Sequence, residues 1–98
     1  MTATYTHTTW RVKPGQEDEF VRRWGEWAEW SHRQGLGDSA RLLRDVERPG
    51  TFVSFAAWAS ADAVRSWRSL EGYHERVARL QEVLEGFEPQ TLELVSER

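Results

Sequence analysis

Apolar residues recur every three or four positions across residues 16–34, and this spacing predicts an amphipathic helix. Its apolar face carries Phe20, Trp24, Trp27, Ala28 and Ser31. The acidic residues at 17–19 fall in the first turn, where the positive end of the helix dipole stabilises them. Gly35 and Gly37 are expected to end the helix. Trp30 is predicted to lie off the apolar face, at a pocket mouth or against a partner subunit.

A second apolar stripe predicts two shorter helices, over residues 61–70 and 73–85. Ser60 is a favourable N-cap for the first of them, and Gly72 marks a break or kink between the two. Gly86 is expected to cap the second. The stripe continues through both helices along Val64, Trp67, Leu70, Tyr73, Val77, Leu80 and Leu84.

Four segments rich in β-branched, aromatic or other apolar residues predict strands, over residues 3–12, 39–48, 51–59 and 90–96. Turn-forming residues at 47–50 predict a hairpin between the second and third strands. The third strand is apolar at nearly every position, which is typical of a strand that is covered on both faces. Helices in a single layer cover only one face, so we expect a partner subunit on the other.

The resulting element order, β-α-β-β-α-β, predicts an α+β fold of the ferredoxin-like type. Its four-stranded antiparallel sheet would carry both helical segments on one face, because crossover connections have a fixed hand. Two such sheets can pair face to face, so we expect a homodimer that forms a shared barrel. A length of 98 residues suits one domain over residues 1–98.

Composition excludes several classes of function. A net charge of −3 with scattered basic residues argues against a nucleic-acid partner. The absence of cysteine excludes disulfides, thiolate catalysis and cysteine-bound metals. No apolar run approaches a membrane span and the first residues do not resemble a signal peptide, so no membrane association and a cytoplasmic location are expected.

The sequence also lacks the spacing that common cofactors require. The three histidines and the carboxylates do not form a metal-binding pattern, so no metal site is expected. Gly35-Leu36-Gly37 lacks the flanking strand and helix of a dinucleotide-binding turn. The spacing therefore supports neither a metal site nor a bound flavin.

Tryptophan is the unusual component, with six residues in 98. Large flat side chains fill the core of a small domain, and they also line pockets for aromatic ligands. For Trp27, Trp58 and Trp67 both interpretations stay open at this point.

Three parts of the chain together resemble the antibiotic biosynthesis monooxygenase family: residues 12–20, residues 52–74 and residues 87–93. The resemblance implies a dimeric α/β barrel that binds a flat, electron-rich ring. It also implies that the deprotonated ring reacts directly with O₂, without flavin, haem or metal. Trp67 and Tyr73 match a helix tryptophan and a tyrosine that take part in this reaction in family members. Ala63 stands where those members carry an asparagine, which is a departure.

These considerations give the candidate site residues. Trp67, Tyr73 and His74 are predicted to be catalytic, with His74 suited to act as a base near neutral pH. His7, Trp27 and Trp58 are predicted to bind the substrate. The position of His7 on the first strand allows its side chain to face either the pocket or the dimer interface.

The leading hypothesis is a monooxygenase that acts with O₂ on a small aromatic, phenolic or polyketide-like substrate. The alternative is a non-oxidative protein on the same fold that binds aromatic ligands or assists cyclisation. A third hypothesis is a dimer that carries out no ligand chemistry. Its interior would be filled by side chains, with no cavity between the helices and the sheet. Haem-degrading relatives carry a histidine ten residues after the tryptophan, and Val77 occupies that position here, so haem is not expected.

Overall fold

The computed structural model describes residues 3–35 and 40–98 and shows four strands and three helices. The strands form one antiparallel sheet in the order β2-β3-β1-β4, with β1 paired to β3 on one side and to β4 on the other. The elements are β1 (Thr4–Val12), α1 (Glu17–Arg33), β2 (Ala40–Arg44), β3 (Thr51–Trp58), α2 (Ala61–Arg68), α3 (Tyr73–Gln81) and β4 (Leu84–Glu93). This arrangement confirms the predicted ferredoxin-like α+β fold.

The largest difference from the predicted elements lies at the junction of α3 and β4. The helix ends at Gln81, four residues earlier than predicted, and the strand begins at Leu84 rather than at residue 90. Gly86 therefore lies inside β4, and the prediction that it caps a helix is wrong. The reason is that β4 pairs with β1. Residues from Leu84 onward supply hydrogen-bonding partners to β1 along the whole length of that strand.

The second strand is shorter than predicted and ends at Arg44. Beyond it the backbone N–H of Glu47 donates to the Asp45 carboxylate at 2.9 Å, so the turn before β3 starts earlier than the predicted turn at 47–50. An aspartate that bonds to the backbone two residues on favours such a turn over a strand. The expectations for residues 36, 37 and 39 lie outside the described residues.

The third strand has two faces of different exposure. Phe52, Ser54, Ala56 and Trp58 are buried toward the helices. Val53, Phe55 and Ala57, on the opposite face, are only partly buried within the single chain. The helices thus cover one face of this strand, as predicted, and the other apolar face is not covered by the described residues.

The interior consists of two clusters that differ in their dominant side chains. The first packs Trp10, Phe20, Phe52 and Leu80 beneath α1 and α3. The second is dominated by tryptophan and contains Trp30, Trp58, Val64 and Trp67. None of the helices within the described ranges is long and apolar enough to cross a membrane.

The placement of Trp30 corrects the expectation that it lies off the apolar face of α1. Its side chain is 8% exposed and belongs to the second cluster of the same chain. The guanidinium carbon of Arg76, on α3, lies 4.7 Å from the centre of its ring. A cation above an aromatic face stabilises this arrangement, and helical periodicity alone does not reveal it.

Gly72 separates α2 from α3 as predicted, and its backbone φ of +93° lies in the left-handed region. We expect Gly72→Ala to reduce the free energy of unfolding by about 1–2 kcal/mol, because a Cβ is strained in this conformation. Urea denaturation would measure the change.

The matched control is Gly25→Ala. Gly25 lies within α1, and a Cβ added there meets no atom within 4 Å. This substitution is expected to increase stability by roughly 0.5–1 kcal/mol, because alanine loses less backbone entropy in a helix. Equal effects at the two glycines would contradict the role assigned to the Gly72 conformation.

Candidate aromatic cavity

A cavity of about 40 Å³ lies between the helices and the inner face of the sheet. Its walls are mainly aromatic and include Trp10, Trp24, Trp27, Trp58, Trp67 and Tyr73. The strands add the small hydroxyl side chains of Thr6, Thr8 and Ser54. The structure thus brings four of the predicted site residues together: Trp27, Trp58, Trp67 and Tyr73.

Trp67 reaches the cavity because of the way α2 begins. The Ser60 hydroxyl accepts a hydrogen bond from the backbone N–H of Ala63 at 3.1 Å and fixes the first turn, as predicted. Val64 and Trp67 then lie three residues apart on the buried face of the helix. The ring of Trp67 packs against Trp58 at 4.8 Å and Trp27 at 5.2 Å between centroids.

Tyr73 reaches the same place because the chain breaks at Gly72. The ring of Tyr73 meets that of Trp67 edge to face, with a centroid distance of 4.9 Å. Such edge-to-face pairs are favourable, since the positive ring edge meets the negative ring face. The interrupted apolar stripe therefore places both predicted aromatic residues at one wall.

Hydroxyl side chains hold the indole rings in position. The Trp67 indole N–H donates to Ser31 Oγ at 3.0 Å, and the Ser31 hydroxyl donates to the Trp27 carbonyl at 2.9 Å. On the sheet side, the Trp58 N–H donates to Thr6 Oγ1 and the Trp10 N–H to Ser54 Oγ, both at 2.9 Å. Each of the three indole bonds satisfies a buried donor and fixes the rotation of one ring.

Sequence reasoning missed this role of Ser31, although a signal was present. Ser31 is 1% exposed and lies four residues after Trp27, within the apolar stripe of α1. A hydroxyl in a buried helical stripe has to find a partner, and a nearby tryptophan N–H is the most available donor in this chain.

Two other indole N–H groups remain without a partner among the described residues, those of Trp24 and Trp27. Both residues line the cavity and both nitrogen atoms are buried. A buried donor without an acceptor destabilises a fold by about 1–3 kcal/mol. An oxygen atom of a bound molecule would remove this penalty.

The phenol of Tyr73 is the only ionisable group with a shifted pKa at the cavity among the described residues. Burial raises the pKa of Tyr73, and the charge and hydrogen bond of Arg68 oppose that rise. Tyr73 is therefore a neutral hydrogen-bond donor near pH 7. Arg68 itself lines the cavity and was not singled out from the sequence, because its position beside Trp67 on α2 carries no pattern.

The two predicted histidines do not line the cavity. His74 is exposed, and its ring meets the ring of Tyr73 at 5.4 Å. His7 alternates with the buried Thr6 and Thr8, so its side chain lies on the outer face of the sheet. There its Nδ1 lies 3.1 Å from Gln90 Oε1. The catalytic role of His74 and the binding role of His7 stay predictions.

The cavity has room for about one water molecule, whereas a cavity that holds benzene measures about 150 Å³. An aromatic ligand can therefore enter only if the walls move apart. Among residues 3–35 and 40–98, no group of three histidine, aspartate or glutamate side chains is placed to hold a metal ion.

The model of a protein family described as antibiotic biosynthesis monooxygenase matches residues 4–79 of the chain. No curated protein matches the chain. Among solved structures, the chain is similar to SnoaB of Streptomyces nogalater, which is described as a cofactor-independent oxygenase. The SnoaB structure is that of a variant in which an asparagine is replaced by alanine. It is 20% identical, with 99% of this chain and 94% of SnoaB covered and a TM-score of 0.76.

Two further structures show how widely the fold recurs. A protein of Bordetella bronchiseptica is 17% identical, with all of both chains covered and a TM-score of 0.84. A conserved protein of Methanosarcina mazei is 19% identical, with 94% of this chain and 92% of that protein covered and a TM-score of 0.81. At these identities the similarity shows the fold alone.

The bond between Ser31 and Trp67 yields a direct test of the cavity wall. We expect Ser31→Ala to reduce the free energy of unfolding by about 1–3 kcal/mol, because it leaves the buried Trp67 N–H without an acceptor. Urea denaturation monitored by tryptophan fluorescence would measure the loss.

Ser69→Ala is the matched control. The Ser69 hydroxyl donates to the Arg65 carbonyl four residues earlier, just as Ser31 donates to Trp27, but it is exposed and accepts no indole N–H. We expect a change of less than about 0.5 kcal/mol there. A similar small change at Ser31 would contradict the importance of the indole bond.

Proposed function

The chain belongs to the antibiotic biosynthesis monooxygenase family, and from this we propose that it is a cofactor-independent monooxygenase for an aromatic, phenolic or polyketide-like substrate. The observation that carries the proposal is the aromatic cavity with a neutral phenol donor, Tyr73, at its wall. Flat indole rings suit a flat substrate, and the phenol supplies a hydrogen bond where charge develops.

The proposed reaction converts a ring CH₂ group into a carbonyl. The substrate first loses a proton and becomes an electron-rich anion, whose oxygen accepts the hydrogen bond from Tyr73. O₂ then takes electrons from the anion, one oxygen atom stays on the carbon, and the other leaves with the two hydrogens as water. The substrate itself is the reductant, so the balance needs no further electron donor.

The predicted site residues have different roles in this proposal. Trp27, Trp58 and Trp67 hold the ring, and Tyr73 stabilises the anion. His74 lies outside the cavity wall beside Tyr73, so it would act as a base only on a substrate atom that extends past the Tyr73 ring. A substrate that is acidic enough to ionise in solution would not require a base.

A second candidate function is supported by the position of the histidines. Neither His7 nor His74 lines the cavity, and its described lining contains no histidine or carboxylate. A cavity without a base suits a protein that binds an aromatic intermediate or assists its cyclisation without oxidation. Product analysis separates the two functions, because cyclisation adds no oxygen atom.

We also propose that the chain forms a homodimer in which the outer faces of two sheets pair. The support is the partly buried apolar side of β3, which carries Val53, Phe55 and Ala57. No nucleic-acid or membrane partner is proposed, and the cytoplasmic location expected from the sequence stays a prediction.

The dimer is tested with a charge on the outer face. Val53→Lys is expected to convert the dimer to a monomer in sedimentation equilibrium, because each copy would bury an unpaired ammonium group in the interface. Val46→Lys is the control, since Val46 is 90% exposed in the turn before β3. A monomeric wild-type protein, or a Val53→Lys dimer of unchanged affinity, would contradict the proposal.

Oxygenation is tested by O₂ uptake with an anthrone-type substrate and no added cofactor. The wild type should consume O₂ above background and produce a new carbonyl. We expect Tyr73→Phe to lower kcat by roughly a hundredfold, because it removes one donor to the developing anion. Trp67→Phe should act mainly on KM, because it removes part of the ring-binding wall.

The controls are Tyr5→Phe, on the outer face of β1, and Trp30→Phe, in the second cluster but outside the cavity lining. Both should keep the wild-type rate. Ring binding without O₂ uptake would favour the accessory function. Uptake that is unchanged in both cavity variants would show that the reaction does not take place in this cavity.

A further inference from the structure

We infer that Arg68 makes the cavity selective for a phenolic ligand in its ionised form, the phenolate. The inference rests on the proposed ring-binding function and adds to it the residue that favours the anionic form of the ligand. It concerns binding and ionisation of the ligand and does not depend on the reaction with O₂.

The first observation is that Arg68 stands alone as a charge in this cavity. Every other described residue of the lining is aromatic, aliphatic or a neutral hydroxyl. Arg68 is half-buried at the end of α2, directly after Trp67. A cation that is partly removed from water among aromatic rings has a strong preference for an anionic partner.

The second observation is that Arg68 has no carboxylate partner within the described ranges. Its Nη1 donates to the neutral hydroxyl of Thr91 at 3.3 Å, and it lies close enough to Tyr73 to lower the pKa of that phenol. Arg65, on the exposed side of the same helix, pairs instead with Asp62. Two arginines three residues apart thus differ in whether a carboxylate of the described residues already neutralises them.

The third observation is that a phenol already lies beside this guanidinium. Arg68 lowers the pKa of Tyr73 through its charge and hydrogen bond, although burial outweighs it and the pKa rises overall. A ligand phenol near the same guanidinium would be subject to the same two effects. The effect of Arg68 on the pKa of a bound phenol is therefore measured as the difference between the wild type and a variant that lacks the charge.

The probe is 4-nitrophenol, a single flat ring whose phenolate absorbs visible light. Its binding is followed by absorbance across a pH titration, and 4-nitroanisole serves as a neutral probe of similar shape. Ionisation of the bound phenol releases the proton to the buffer. A third probe, 4-nitrobenzoate, tests whether any aromatic anion suffices.

We expect Arg68→Gln to raise the Kd of 4-nitrophenolate about tenfold and the pKa of the bound phenol by about one unit, because an adjacent cation lowers the pKa of an acid by about 1–3 units. The Kd of 4-nitroanisole should stay unchanged. Arg68→Lys should restore part of the effect, and Arg65→Gln should match the wild type. Weaker binding of 4-nitrobenzoate than of the phenolate would support selectivity for the phenolate.

The outcomes separate this inference from the oxygenase proposal. Equal effects of Arg68→Gln on 4-nitrophenolate and 4-nitroanisole, or equal effects of Arg68→Gln and Arg65→Gln, would overturn the inference alone. Binding of 4-nitrobenzoate as tight as that of the phenolate would overturn the phenolate assignment. Failure of every probe to bind would overturn both proposals, whereas selective phenolate binding without O₂ uptake would overturn only the oxygenase.

Discussion

The structure depends on burying tryptophan side chains whose N–H groups need hydrogen-bond acceptors. A core in a chain of 98 residues is small, and indole rings contribute much of its buried surface. Three of these donors reach the hydroxyls of Thr6, Ser31 and Ser54, which lie on β1, α1 and β3. The bonds tie α2 to α1 and β3 to β1, so satisfying the indoles also joins two helices to each other and two strands to each other. The two indoles left without acceptors then lie where the cavity is.

The helices and strands could be predicted wherever the spacing of apolar residues fits only one type of element. The helical spacing of α1, the N-cap at Ser60 and the break at Gly72 were all confirmed. The junction of α3 and β4 was not, because the apolar spacing through Leu84 fits a helix as well as the start of a strand. Long-range pairing with β1 decides between the two, and a local pattern does not contain it. Trp30 shows the same limit, since it packs with Trp58, Val64 and Trp67 from other elements and the guanidinium of Arg76 lies above its ring.

The candidate site was predictable in its rings and unpredictable in its polar groups. Aromatic residues on an apolar stripe have to face the interior, so Trp67 and Tyr73 could be placed from spacing alone. The histidines could not, because a position beside an aromatic residue does not fix which way a polar side chain points. Arg68 was missed for a related reason: it lies near Thr91 of β4 and Tyr73 of α3, and its lack of a carboxylate partner among the described residues is a property of the assembled fold.

The small volume of the cavity and its chemistry argue together for a wall that moves. A side-chain core that served packing alone would not be expected to leave two indole donors without acceptors or to retain a cation without an anion. Yet a volume of about 40 Å³ does not admit a ring, so these groups cannot meet a flat ligand in this arrangement. The wall formed by Arg68, Tyr73 and Val77 adjoins Gly72, whose left-handed backbone interrupts the helix there. A larger cavity requires Tyr73 and Val77 of α3 to withdraw, and the hydrogen bonds of Trp58 and Trp67, which run to β1 and α1, do not involve that helix.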